Sequence, residues 1–154
     1  GAIITMSDLE KPPMRMFLFG LITISEMMLT TVIRIRYPDK AWQEHISEGR
    51  LQKAELLLSE RTRRGQIVDL IDCLQFGDKG LIVSRDEEFR LAMGWSSRRK
   101  AREELKELEM LRNNLAHTQE IVPDGWRRIV RACNQMTENL RNVSERLNLM
   151  IAEE

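Results

Sequence analysis

RRIVRACNQMTENLRNVSERLNLM, residues 127–150, is the stretch whose reading decides the fold. Its apolar residues Ile129, Cys133, Met136, Leu140, Val143, Leu147 and Met150 recur at alternating intervals of four and three. That is the repeat of a helix with one stripe packed along a neighbour. No stretch alternates convincingly with the two-residue period of a half-buried strand, and no Asn-Gly dipeptide joins β-branched segments. The partners of this helix are therefore other helices. The sequence predicts an all-α fold, an up-and-down bundle of about four to six helices. At ~1.5 Å per residue, a helix of about 29 residues exceeds ~40 Å. A compact domain of this size needs less, so the overhang is available to a second copy.

Moving outward, Pro123-Asp124-Gly125 supplies a turn and cap before this helix. The preceding helix is capped by Ser96 or Ser97 and runs through Ala101, Leu105, Leu108 and Leu115 to His117. Upstream of it, Gly77, Gly80 and the polar SRDEE run predict short pieces separated by turns, and 66–74 reads as apolar and helical. Gly65 ends a helix over 47–64 whose apolar face is Leu51, Ala54, Leu57 and Leu58, and a shorter helix covers 41–46.

Lys11-Pro12-Pro13 opens a long helix, because a proline at a helix start lacks only an N–H that would be unpaired there. Tyr37-Pro38-Asp39 closes it. Phe17, Leu21, Ile24 and Met28 trace one of its faces; Leu18, Ile22, Leu29 and Val32 trace a second. Two apolar faces predict a helix enclosed on more than one side. The apolar run 17–33 raises a membrane question, but Glu26, Thr23, Ser25, Thr30 and Thr31 interrupt it and it covers only about 17 residues. It reads as a core helix, with no membrane partner.

A chain of 154 residues suits one packed core. Lysine and arginine together number 24, as do aspartate and glutamate, so no global basic field drives nonspecific nucleic-acid binding and any such contact is local. Cys73 and Cys133 lie among apolar neighbours without metal-ligand spacing, which favours reduced core thiols over structural zinc. No metal or cofactor is expected. The first ten residues do not have a signal peptide's basic start and apolar core, and the expected location is cytoplasmic.

Arg112 occupies the place in the Ala101, Leu105, Leu108, Leu115 series where a leucine is expected. A guanidinium at a core-facing position requires a carboxylate, solvent, or a polar cleft, and a structural salt bridge is its commonest fate. Asn113 and His117 stand four apart on one helix face, where an amide oxygen can hold one imidazole nitrogen and leave the other for proton transfer. Alternatively, Asn114 and His117 simply cap the helix C-terminus. In a regular helix Arg112 and His117 point about 140° apart. One site uses both only if the helix end distorts or a two-fold partner contributes.

The segment Leu111-Arg-Asn-Asn-Leu-Ala-His117 resembles the motif of the HEPN superfamily, helical domains found in many RNA-cleaving toxins and RNA-processing enzymes. The family pattern is Arg, a polar residue, a short spacer and His; Arg112, Asn113 and His117 fit it, and a long helix follows the motif as it does in that family. The resemblance spans residues 11–154. It implies metal-independent RNA cleavage at a homodimer interface, with His117 as acid or base, Arg112 stabilising charge on the phosphorane, and Asn113 orienting the histidine or a phosphate oxygen. It equally admits a catalytically silent dimerisation or regulatory module, since many members keep the fold without the chemistry.

At the N-terminus, Ala2 to Leu9 looks like the last strand and helix start of a CBS domain, with Thr5 and Asp8 on its Thr-x-x-Asp nucleotide motif. The resemblance implies that residues 1–10 are the remnant of a CBS-like domain which, when intact, binds adenine nucleotide and controls the helical domain. The alternative is a β-leaning tail. Arg98, Arg99, Lys100 and Arg102 offer an RNA-backbone contact, as do Arg61, Arg63 and Arg64 and the Trp126-Arg127-Arg128 run, although such runs more often mark solvated helix faces. His45, near Trp42, reads as a packing or surface residue.

Overall fold

The computed structural model describes residues 12–117 and 125–152, with side chains to residue 146. Among these residues all regular structure is helical: α1 (Pro12–Arg36), a 3-10 helix (Pro38–His45), α2 (Glu48–Arg63), a second 3-10 helix (Leu70–Cys73), α3 (Phe76–Arg85), α4 (Glu87–Ala92), α5 (Arg98–Ala116) and α6 (Gly125–Ala152). The proposed CBS remnant, with Thr5 and Asp8, lies outside the described residues, as do Pro123 and Asp124.

The packing follows two pairs. Helix α1 lies along α6 from the far end of the chain, and α3 lies along α5, which also crosses α1. The α6 stripe turns inward as its repeat requires: Ile129, Cys133, Met136, Leu140 and Val143 are all buried. Facing them on α1 are Leu18, Ile22, Leu29, Val32 and Ile33. Ser25 and Thr30 are buried on the same helix, and each hydroxyl donates to the carbonyl four residues back, Leu21 and Glu26 respectively. That local bond lets a polar side chain enter the core without an unpaired donor.

Enclosure of α1 on two sides holds only in part: Leu21 and Met28, on the Phe17 face, are half-buried against the core. The face of Leu18 and Ile22 is core, but Phe17 and Ile24 are exposed, with Met16 and Met27 beside them. Helices α6, α5 and α3 and the first 3-10 helix all pack on α1, and among the described residues they leave this part of its surface open. Helix α1 is long and apolar enough to cross a membrane by length and composition, yet its inner face belongs to the bundle.

The expectation of short pieces holds at the SRDEE run, where Asp86 separates α3 from α4, but not at Gly77 and Gly80. Helix α3 runs straight through both glycines, because its partner comes too close for a side chain. A Cβ at Gly80 would lie 3.0 Å from Leu105 Cδ1, and one at Gly77 would lie 3.1 Å from Glu109 Oε2. The glycines are there for close packing on α5, and the helix tolerates them. Conversely, most of 66–74 is not helical: Asp69 and Asp72 form a reciprocal cap around a single 3-10 turn. Gly65 does end α2, in the left-handed conformation at φ 78°.

Asp86 joins three segments. It caps α4 through the Phe89 N–H and accepts from Tyr37 Oη at 2.6 Å and Arg36 Nε at 3.0 Å. Burial alone would raise its pKa, but the Phe89, Tyr37 and Arg36 donors outweigh this and hold the carboxyl below the usual carboxylate range. Both cysteines are buried and free; burial pushes the Cys133 thiol up to about 11, against the lowering effect of the Ser25 hydroxyl.

Candidate functional site at the end of α5

Ser97 opens α5 by accepting a hydrogen bond from the Lys100 N–H, and Ala101, Leu105, Leu108 and Leu115 bury its inner face. With that face fixed, Arg112 is directed towards α1. Its Nη1 donates to Glu26 Oε2 at 2.6 Å, and the guanidinium stands 5.9 Å from the centroid of the Phe76 ring. The other Glu26 oxygen, Oε1, takes a 3.0 Å bond from Lys79 Nζ on α3. One carboxylate thus serves two cations from two helices. Lys79 is nearly inaccessible at 6% side-chain exposure, whereas Arg112 keeps 26%.

Two positive charges on one negative leave a local excess of one, and this residual charge is what the arrangement can offer an anion. Nη1 is committed to Glu26, so the carboxylate fixes the plane and position of the guanidinium while part of its donor fork still reaches solvent. Glu26 and Lys79 also line a groove of about 340 Å³ with Thr23, Met27, Arg34 and Asp72, and Arg112 is not part of that lining. Arg34 there is held by both oxygens of Asp72 at 2.8 Å.

Asn113 and His117 face the other way, and both are exposed. His117 is the C-cap residue of α5: its backbone has left helical geometry, and its N–H donates to the Asn113 carbonyl at 3.0 Å. Asn113 therefore holds the histidine position through its main chain, while its side-chain amide makes no hydrogen bond among the described residues. The helix end is further tied by Arg15, whose Nη2 donates to the carbonyls of Asn114 at 3.0 Å and Leu115 at 3.3 Å. A cation on the last carbonyls of a helix complements its dipole.

Arg98, Arg99, Lys100 and Arg102 are exposed at the opposite end of α5, roughly 15–30 Å along the axis from the motif at ~1.5 Å per residue. The structure does not bring them to Arg112. Of the other cations, Arg61 donates to the Asp72 carbonyl, Arg64 pairs with Glu60, Arg128 pairs with Glu107, and Arg127 stacks on Trp126. His45 meets the Tyr37 ring edge-on at 5.0 Å.

Sequence reading missed Glu26 and Lys79 as partners of Arg112. Glu26 was visible as the one ionisable residue between Met16 and Ile33, and a lone acid in an apolar run requires a buried cation. Lys79 carried no comparable signal until the helical course of α3 was known. Among the described residues no three His, Cys, Asp or Glu side chains gather as a metal site would need. Comparison with family models, with characterised proteins and with solved structures gave no match.

Proposed function

We propose that this chain is a HEPN-type endoribonuclease that cleaves RNA without a metal, using Arg112, Asn113 and His117 from two copies. The observation that carries the reading is the state of Arg112: an arginine locked in place by Glu26, still partly open to solvent, five residues before an exposed histidine on another face of the same helix end. A preorganised guanidinium suits charge that develops on a phosphorane.

The chemistry balances without a co-reactant. The His117 imidazole of one copy takes the proton of an RNA 2′-hydroxyl as its oxygen attacks the adjacent phosphorus. The phosphorus–5′-oxygen bond breaks, and a protonated His117 from the other copy donates to the departing oxygen, leaving a 2′,3′-cyclic phosphate and a 5′-hydroxyl. Each proton transfer is worth about 10²–10⁴-fold. Arg112 contacts the phosphate oxygens, and Asn113 orients the imidazole or a phosphate oxygen. The Thr5 and Asp8 resemblance adds adenine-nucleotide control through an intact CBS region.

One specific observation favours a second reading. Arg112 spends its shortest contact on Glu26 within its own chain, as it would in a silent dimerisation or regulatory module. Incubating a mixed RNA pool with the protein in EDTA separates the two. Cleavage to cyclic-phosphate ends, reduced at least ~100-fold in folded Arg112→Ala and His117→Ala variants, supports the nuclease. Intact RNA with wild type, with and without adenine nucleotide on the full-length protein, supports the silent module.

A further inference from the structure

The outer face of α1 carries four exposed large apolar side chains. Met16 is 74% exposed, Phe17 56%, Ile24 53% and Met27 64%. At ~200 Å² for a fully exposed side chain of this size, these four leave on the order of 500 Å² of apolar surface in water. That is towards the upper end of the ~300–600 Å² spanned by the largest apolar patch of a typical monomer, a patch that is often functional. Gly20, Thr23 and Thr31 lie between them and extend the strip towards the ~800 Å² that each partner gives to a standard interface.

Charge narrows the occupant. Glu26 is turned to Arg112 and Lys79, Arg15 holds the end of α5, and Arg34 is held by Asp72. The strip between is uncharged, which suits a partner equally uncharged. Its spacing narrows the occupant further: Met16, Gly20, Thr23 and Met27 follow intervals of four, three and four, the rhythm of a helix–helix seam. The series reads the same from either end, large residues outside and small ones inside, and a Cβ on Gly20 would meet nothing within 4 Å.

We infer that the outer face of α1 binds a second copy of this chain, antiparallel about a two-fold axis between Gly20 and Thr23, with Met16 of each copy against Met27 of the other. A self-complementary patch of this kind closes as a dimer and does not propagate.

This deepens the proposed function, and its bearing on catalysis rests on that reading. The last turn of α5 is bracketed by Arg15 on one side and by the Arg112–Glu26 pair on the other. It therefore lies on the flank of the stretch of α1 that contains the axis, so the same length of α1 would seat the second copy and hold the motif.

The test is sedimentation equilibrium of wild type against Met27→Lys. Met27 is exposed in the monomer, so the lysine leaves the fold intact, as circular dichroism checks; the dimer dissociation constant is expected to rise at least ~100-fold. Mixing Met16→Cys protein with Met27→Cys protein is expected to give a disulfide-linked dimer, whereas each variant alone does not, since Cys73 and Cys133 are buried. A monomeric wild type, crosslinking of Met27→Cys alone, or binding to zwitterionic vesicles abolished by Met27→Lys each overturns the inference. RNA cleavage by a dimer that survives Met27→Lys would sink the interface and keep the nuclease; a crosslinked dimer without cleavage would do the reverse.

Discussion

Replacing Glu26 by glutamine removes one charge and almost no volume. In the wild type Glu26 neutralises Lys79 at 3.0 Å and Arg112 at 2.6 Å. The amide leaves Lys79 buried at 6% exposure with no carboxylate in contact, and leaves a second cation beside it. Breaking a buried pair by removing one member costs about 3–5 kcal/mol. The remaining amide oxygen still accepts one hydrogen bond, worth about 1 kcal/mol, and Arg112 can recover some hydration, so the expected loss is about 3 kcal/mol. For a chain of this length each kcal/mol moves Tm by ~2–4 °C, giving a fall of ~6–12 °C by calorimetry. The second arm is Lys79→Met in the same background. With the stranded cation gone, much of the loss should return, and the two substitutions should couple by more than ~1 kcal/mol. A Tm fall below ~2 °C for Glu26→Gln, or strict additivity in the double variant, would refute the picture of one carboxylate serving two buried cations.

Two glycines give opposite expectations. Gly80→Ala forces a Cβ to 3.0 Å from Leu105 Cδ1, and overpacking of about 1–3 kcal/mol outweighs the ~0.5–1 kcal/mol gained in helix propensity, whereas Gly49→Ala in α2 meets nothing within 4 Å and should raise Tm. A more stable Gly80→Ala would mean that α3 and α5 are not in the close contact described. Asp86 has a folded pKa below its unfolded one, so its stabilisation is complete above the unfolded value of ~3.9 and is lost as pH falls through the folded value. The urea-midpoint gap between wild type and Asp86→Asn should accordingly be wide at pH 7 and shrink below about pH 4; a gap that stays constant to pH 2 would show that the charge is not what matters.

How much of this was legible in the sequence depended on whether a residue's partner was local. The α6 stripe was readable because its four-three rhythm is a property of one helix, and Ser97 and Gly65 mark ends by chemistry confined to a single turn. The apolar faces of α1 were visible too, but which face met the bundle was not, since that is decided by α6, more than 80 residues away in the chain. Gly77 and Gly80 misled for the same reason: a glycine that breaks a helix and a glycine that lets another helix approach are identical until Leu105 and Glu109 are placed beside them. Arg112 was conspicuous as a charge in a leucine position. Its need for a carboxylate followed from physics, but the choice of Glu26 and the recruitment of Lys79 required the α1, α3 and α5 packing.

The pairing of α1 with α6 also sets the order in which the molecule can acquire its structure. Its longest helix–helix contact joins segments separated by roughly 90 residues, so forming it closes a long loop, which slows folding. During synthesis at ~5–20 residues per second, the roughly 90 residues between Arg36 and Gly125 take about 5–20 s to emerge. For that interval Leu18, Ile22 and Leu29 have no α6 to cover them, while Met16, Phe17, Ile24 and Met27 are uncovered on the opposite side. The nascent chain thus passes through a window in which α1 has uncovered apolar residues on two faces, and protection of that helix by a chaperone, or early docking on α3 and α5, becomes a condition of productive folding.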